Sequence, residues 1–143
     1  MTNETMRKFG YPDSLIREYE HWVVLLRPAQ VTLGSLVLAA KSNATAFGQL
    51  PAGAHAELAA VTSEIEATLN AEIGYEKINY LMLMMVDPNV HFHVIPRYSE
   101  PRRWNNLEFA DAGWPGVPQL STATELDVEQ MELLIGQLEA RFR

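Results

Sequence analysis

Apolar positions follow two different periods along this chain. In "LPAGAHAELAAVTSEIEATLNAEIG" the residues Ala54, Leu58, Val61, Ile65 and Leu69 recur every three or four positions and Gly74 follows, which predicts a helix over 53–72. Near the end, Leu126, Met131, Leu134, Ile135 and Leu138 fall on one stripe behind Thr124, a residue suited to capping, so 124–143 reads as a second helix. The runs "HWVVLLRPAQ" and "LGSLVLAA" are short and rich in β-formers, and Pro28 and a polar turn separate them; they predict two antiparallel strands joined around 28–33. "KINYLMLMMV" and "VHFHVIPRY" flank the turn "DPN" and predict a β-hairpin, with Met82, Met84 and Met85 as core filling. In "YPDSLIREYEHW", Leu15, Ile16 and Tyr19 stand at helical spacing behind Asp13 or Ser14, which reads as a short helix or turn. Residues 101–123, rich in proline, glycine and aromatic side chains, read as an irregular arm whose Trp104, Phe109 and Trp114 pack on the domain, line a pocket or cover a partner.

Helices and strands do not alternate regularly, so the pattern predicts an α+β fold with an antiparallel sheet, a long central helix and a C-terminal helix. The 143 residues suffice for a single domain, 1–143, with its core over about 15–100. Composition narrows the function. Cysteine is absent, which excludes thiolate catalysis and cysteine-ligated metals. The opening "MTNETMRKFG" has no apolar export core and the run "VTLGSLVLAA" is too short to cross a bilayer, so the expectation is a cytoplasmic chain with no membrane partner. A net charge of −7 argues against binding a nucleic acid polymer; an anionic ligand would have to be held by local groups.

Two of the four histidines stand two residues apart in "MVDPNVHFHVIPRY". Alternation along a strand puts Asn89, His91 and His93 on one face and Val90, Phe92 and Val94 on the other. Such a pair fits a solvated sheet face. It also fits a metal site, which would need a third ligand. A third reading is phosphorus chemistry: a neutral imidazole attacks phosphorus without a separate base, and a second imidazole manages the leaving group.

With these residues in view, "NVHFHVIPRY" resembles the signature of the histidine triad superfamily, His-apolar-His-apolar-His-apolar-apolar, commonly followed by Pro-Arg. The order of elements across about 15–100 is similar as well, and the Gly34 turn into "SLVLAA" resembles the superfamily's Pro-Gly-His turn, with Leu33 and Ser35 in place of proline and histidine. The resemblance implies a nucleotide-binding protein, usually a homodimer, that hydrolyses or transfers a nucleoside monophosphate through a nucleotidyl-histidine intermediate. It implies His91 as nucleophile, His93 at the leaving group, and Asn89 in the supporting first position, where histidine is usual. Asparagine can donate and accept hydrogen bonds but carries no proton at neutral pH, so the expectation is reduced or redirected activity.

The superfamily's Gly-Gln-Ser/Thr-Val segment is replaced by "LMLMMVDPN", which removes its phosphate-binding hydroxyl. Arg97, Ser35, Asn79 and Arg27 are the substrate-binding candidates. Substrates to consider are a nucleoside phosphoramidate, a dinucleoside polyphosphate or a related nucleotide. No metal or cofactor is expected in the protein, although magnesium could arrive on the substrate's phosphates. The alternatives are a nucleotide sensor with weak turnover and an interaction protein that uses the tryptophan-rich arm.

Overall fold

The computed structural model describes residues 2–142; Met1 and Arg143, the two ends of the expected domain, lie outside them. The elements run α1 (Glu4–Lys8), β1 (Leu15–Glu18), β2 (Trp22–Leu26), β3 (Ala29–Gln30), β4 (Leu36–Ala40), α2 (Ala52–Glu72), β5 (Lys77–Leu81), β6 (His91–Arg97), β7 (Arg102–Trp104), β8 (Leu107–Phe109), β9 (Thr124–Glu125) and α3 (Val128–Glu139). The architecture is α+β, as the periodicity predicts. Five strands form one antiparallel sheet in the order β1-β2-β4-β6-β5.

The central strands β2 and β4, "WVVLL" and "LVLAA", are buried at every position. Strands covered on both faces read as continuous apolar runs, which is why these two lack a polar alternation. Trp22, Val24, Leu26, Leu36 and Leu38 join Val61, Ile65 and Leu69 of α2 in the main core. The opposite face carries Val23, Leu25, Val37 and Ala39, and Met6 of α1 closes over them with Phe9 packed alongside.

That second cover is not foreseen in the pattern of apolar residues. Helix α1 has only five residues, and Asn3 caps it by accepting from the Met6 N–H at 2.9 Å while donating to the Ala40 and Ser42 carbonyls. Glu4 in its first turn and Arg7 and Lys8 in its last suit the helix dipole, a signal legible in "NETMRK".

Several expectations need correction. The stretch "YPDSLIREYEHW", expected as a short helix or turn, is a turn over 11–14 followed by strand β1: three apolar residues at 15, 16 and 19 fit either period, and the Leu26 N–H is taken by the Ser14 carbonyl as this edge pairs with β2. The C-terminal helix begins at Val128, because Asp127 and Gln130 form a reciprocal capping box, whereas Thr124 belongs to β9 paired with β3. Strand β5 stops at Leu81, so the methionine-rich stretch is a loop over 82–90; Met82 and Met84, the latter at φ 52°, still pack on the main core as expected, but Met85 is 83% exposed. The arm contains a hairpin, β7–β8, whose two turn residues Asn105 and Asn106 both have positive φ, the geometry that lets a two-residue turn match strand twist.

Glycine is required at the turn into β4. Gly34 has φ +94°, and a Cβ there would lie 3.0 Å from Ile73 and 3.2 Å from Leu69 of the main core. The arm is held by an ion pair with both side chains nearly inaccessible. Arg97 donates from Nε and Nη2 to Asp111 at 2.7 and 3.1 Å, and its remaining donors go to Asn79 Oδ1 and the Gly116 carbonyl. Removing one partner strands the other charge. Asp111→Leu is therefore expected to lower stability by about 3–5 kcal/mol and Arg97→Met/Asp111→Leu by much less, read as urea unfolding midpoints.

Candidate functional site

Strand β6 pairs with β4 so that His91 lies opposite Ala39 and His93 opposite Val37. The side-chain alternation is the one the sequence predicts: Phe92 packs against Trp22, Phe47 and Tyr80 on the α2 side. On the other side the two imidazoles stand with ring centres 5.2 Å apart, and the Phe9 ring covers both at 5.6 and 5.7 Å. A cleft of about 330 Å³ opens beside them, lined by Lys8, Phe9, Arg27, the 83–87 loop, His91 and His93.

The tautomer of His91 follows from its partner. Its Nδ1 lies 2.8 Å from the backbone carbonyl of Asn89, and a carbonyl only accepts, so the neutral ring carries its proton on Nδ1 and a lone pair on Nε2. Asn89 acts on His91 through its main chain. Its side chain is spent elsewhere: Oδ1 accepts from the Thr5 N–H at 3.3 Å, Nδ2 donates to the Asn43 carbonyl at 3.1 Å, and its own N–H donates to Thr5 Oγ1 at 2.9 Å. The expected first position of the triad is thus the pin that fastens α1 to the sheet.

His93 has a different environment. Its Nδ1 is buried without a hydrogen-bond partner. Burial first, then the positive charge of Arg27 and the neighbouring His91, push its pKa down to about 4, with Asp87 opposing. It is a neutral imidazole at physiological pH.

Of the four substrate-binding candidates, the cleft takes in Arg27 alone. Ser35 is fully buried and closes its own turn, donating to the Thr32 carbonyl at 2.8 Å and accepting the Thr32 N–H at 3.0 Å. Asn79 and Arg97 lie on a separate cleft of about 500 Å³ with Trp114 and Pro115, and they bond to each other. Arg97 cannot offer a free fork to a phosphate there, because Asp111, Asn79 and Gly116 occupy it. The aromatic residues of the arm also separate: Phe109 is in the main core, while the Trp104 indole donates to Gln137 of α3. Phe9, Lys8 and Asp87 are cleft residues that the sequence reading misses. Lys8 and Asp87 pair at 3.2 Å across 79 positions of chain, a contact that no local pattern announces. Among the described residues no three histidine, aspartate or glutamate side chains gather as a metal site.

No protein-family model and no curated protein matches the chain. Solved structures do. A histidine triad protein from Sinorhizobium meliloti is 21% identical and superposes with a TM-score of 0.76 over 99% of this chain and 96% of its own. A histidine triad protein from Bradyrhizobium japonicum is 17% identical, with a TM-score of 0.71 over 100% and 98%. The fold is the histidine triad fold. A hypothetical histidine triad nucleotide-binding protein from Sulfolobus tokodaii is similar too, at 19% identity and a TM-score of 0.67 over 90% of this chain and 82% of that one. Within this histidine triad fold, β6 carries the paired histidines and α2 covers the other side of the sheet.

The low basicity of His93 has a measurable consequence. A histidine that is neutral in the native state but free to charge when unfolded stabilises the fold above its ordinary value of 6.5 and loses that contribution as pH falls towards about 4. The full effect is roughly 3 kcal/mol. Urea midpoints measured from pH 7 to pH 4 are expected to fall, and His93→Gln is expected to flatten that slope.

Proposed function

We propose that this chain is a nucleotide hydrolase or nucleotidyl transferase that acts at the α-phosphate of a nucleoside phosphoramidate, dinucleoside polyphosphate or related nucleotide. The observation that carries the reading is the hydrogen bond from His91 Nδ1 to the Asn89 carbonyl, which leaves the Nε2 lone pair as the nucleophile beside an open cleft. Support comes from the shared fold and from the similar Sulfolobus tokodaii protein described as nucleotide-binding.

In the first displacement the Nε2 lone pair forms a bond to phosphorus, and the bond from phosphorus to the leaving oxygen or nitrogen breaks with its electrons on the leaving atom. The adjacent His93 supplies a ring N–H towards that atom. In the second displacement water, or another acceptor hydroxyl, attacks phosphorus and gives its proton to the neutral His93 imidazole, while the bond from phosphorus to His91 Nε2 breaks with its electron pair on the nitrogen. Orientation of His91 by a main-chain carbonyl explains how asparagine can stand in the first triad position: any residue there supplies that carbonyl. Substrate magnesium, a homodimer and a cytoplasmic setting belong to the same reading. Both edge strands of the sheet, β1 and β5, are paired on one side only among the described residues, which leaves a strand edge open to a second copy.

A second reading, a nucleotide sensor with slow turnover, is favoured by one observation. His93 is uncharged above about pH 4, so the unliganded site lacks a strong acid for the leaving group.

Purified protein is expected to cleave at least one of adenosine 5′-phosphoramidate, diadenosine triphosphate and adenylyl sulfate, and His91→Ala to lower that turnover by a factor of about 10³ or more while AMP binding survives. Acid quenching should trap an adduct on His91. AMP binding with no turnover and no adduct would favour the sensor. Asn89→His is expected to lower the melting temperature without raising the rate, because it removes both side-chain bonds that hold Thr5 and Asn43.

A further inference from the structure

Among the described residues two buried side-chain nitrogens lack a hydrogen-bond partner, Arg27 Nε and His93 Nδ1, and both residues line the histidine cleft. Buried polar atoms are rarely left in this state, and two in one cleft mark a place completed by something else. Arg27 makes a single side-chain hydrogen bond among the described residues, Nη1 to the Ala29 carbonyl at 2.6 Å, and no carboxylate lies within ion-pairing distance of it. Arg97 is the contrast within the same chain: a buried guanidinium whose donors are taken by Asp111, Asn79 and Gly116. Arg27 instead presents an unpaired cation in a molecule of net charge −7. Acidic groups nearby do not cancel it. Asp87 is paired with Lys8 on the cleft's rim, and Glu125 acts on Arg27 only through its field.

The register shows which part of a ligand Arg27 would meet. His91 lies opposite Ala39 and His93 opposite Val37, and the Arg27 N–H donates to the Ser35 carbonyl at 3.1 Å, so Arg27 stands one row further along β4 in the same direction. The Ala39 and Ser35 rows are about 13 Å apart along the strand with the His93 row between them, so Arg27 stands beyond His93 from His91 and is placed for a group of the ligand beyond the phosphorus that His91 attacks.

We propose that Arg27 is a specificity-determining residue that binds a second phosphate of the substrate, so that the site prefers nucleotides carrying a phosphate group beyond the reacting one. The inference rests on the reading of His91 as nucleophile for its geometry, but anion binding at Arg27 can be measured without turnover. The second phosphate could be borne by the ribose or by the leaving group, and the chemistry at Arg27 is the same: a forked, charge-assisted pair of hydrogen bonds. Occupancy would also remove part of the positive field that depresses His93, making it a better proton donor when such a substrate is bound.

The test is the preference ratio. Binding of AMP, adenosine 3′,5′-bisphosphate and ATP is measured by calorimetry for the wild type, Arg27→Met and Arg27→Lys, each checked for a cooperative thermal transition. The wild type is expected to bind one of the two multiply phosphorylated ligands at least 10-fold more tightly than AMP. Arg27→Met is expected to reduce that ratio to within 3-fold of unity, with Arg27→Lys in between. A preference for the 3′,5′-bisphosphate assigns the second phosphate to the ribose, and a preference for ATP assigns it to the leaving group. An unchanged ratio in Arg27→Met, or no preference in the wild type, overturns the inference. Should Arg27→Met fail to fold, the ratio in Arg27→Lys decides, since loss of the fork alone should lower it at least 3-fold. Turnover that persists in His91→Ala would instead sink the nucleophile reading and leave the binding ratios standing.

Discussion

Two strands at the centre of the sheet are apolar on both faces, and everything built around the histidines answers that constraint. Burial of β2 and β4 on one side only would leave Val23, Leu25, Val37 and Ala39 in water, at a cost of about 1.5–3 kcal/mol for each large side chain. The long helix α2 covers one side. The other is covered by a five-residue helix too short to be stable by itself, and it is held by side-chain bonds to the sheet. Asn3 ties it to the end of β4 and Asn89 ties Thr5 to the start of β6.

The site inherits its form from this second cover. Phe9 follows α1 directly and lies over both imidazoles, so the element that completes the core also forms one wall of the cleft. Asn89 serves both purposes with different atoms: its amide holds the cover and its carbonyl orients His91. This division accounts for an asparagine at position 89. An imidazole there could not donate to the Asn43 carbonyl and accept from Thr5 with the same geometry. The cleft differs from the rest of the interior in what it leaves unmatched. The arm gives its buried arginine partners at every side-chain nitrogen, whereas Arg27 and His93 keep polar atoms without partners in the cleft beside His91.

The sequence alone determined the parts whose cause is local. A helical stripe of apolar residues marked α2 to within a residue of its start, and alternation in "NVHFHVIPRY" put both histidines on the face opposite Phe92, as found. Continuous apolar runs marked the central strands. The motif in that segment also pointed to the histidine triad fold that the solved structures share. Tertiary structure decided the rest, because the deciding partners are far apart along the chain. Arg27 and Arg97 both read as basic residues beside a strand, yet Asp111 reaches only Arg97. The loop at 82–90 reads as core by composition, and Met82, Met84 and Val90 do pack there, but the stretch between them borders the cleft, so Met85 and Val86 face water. The contact between Thr5 and Asn89 joins residues 84 positions apart, and a periodicity that spans one turn or one strand carries no information about such a pair.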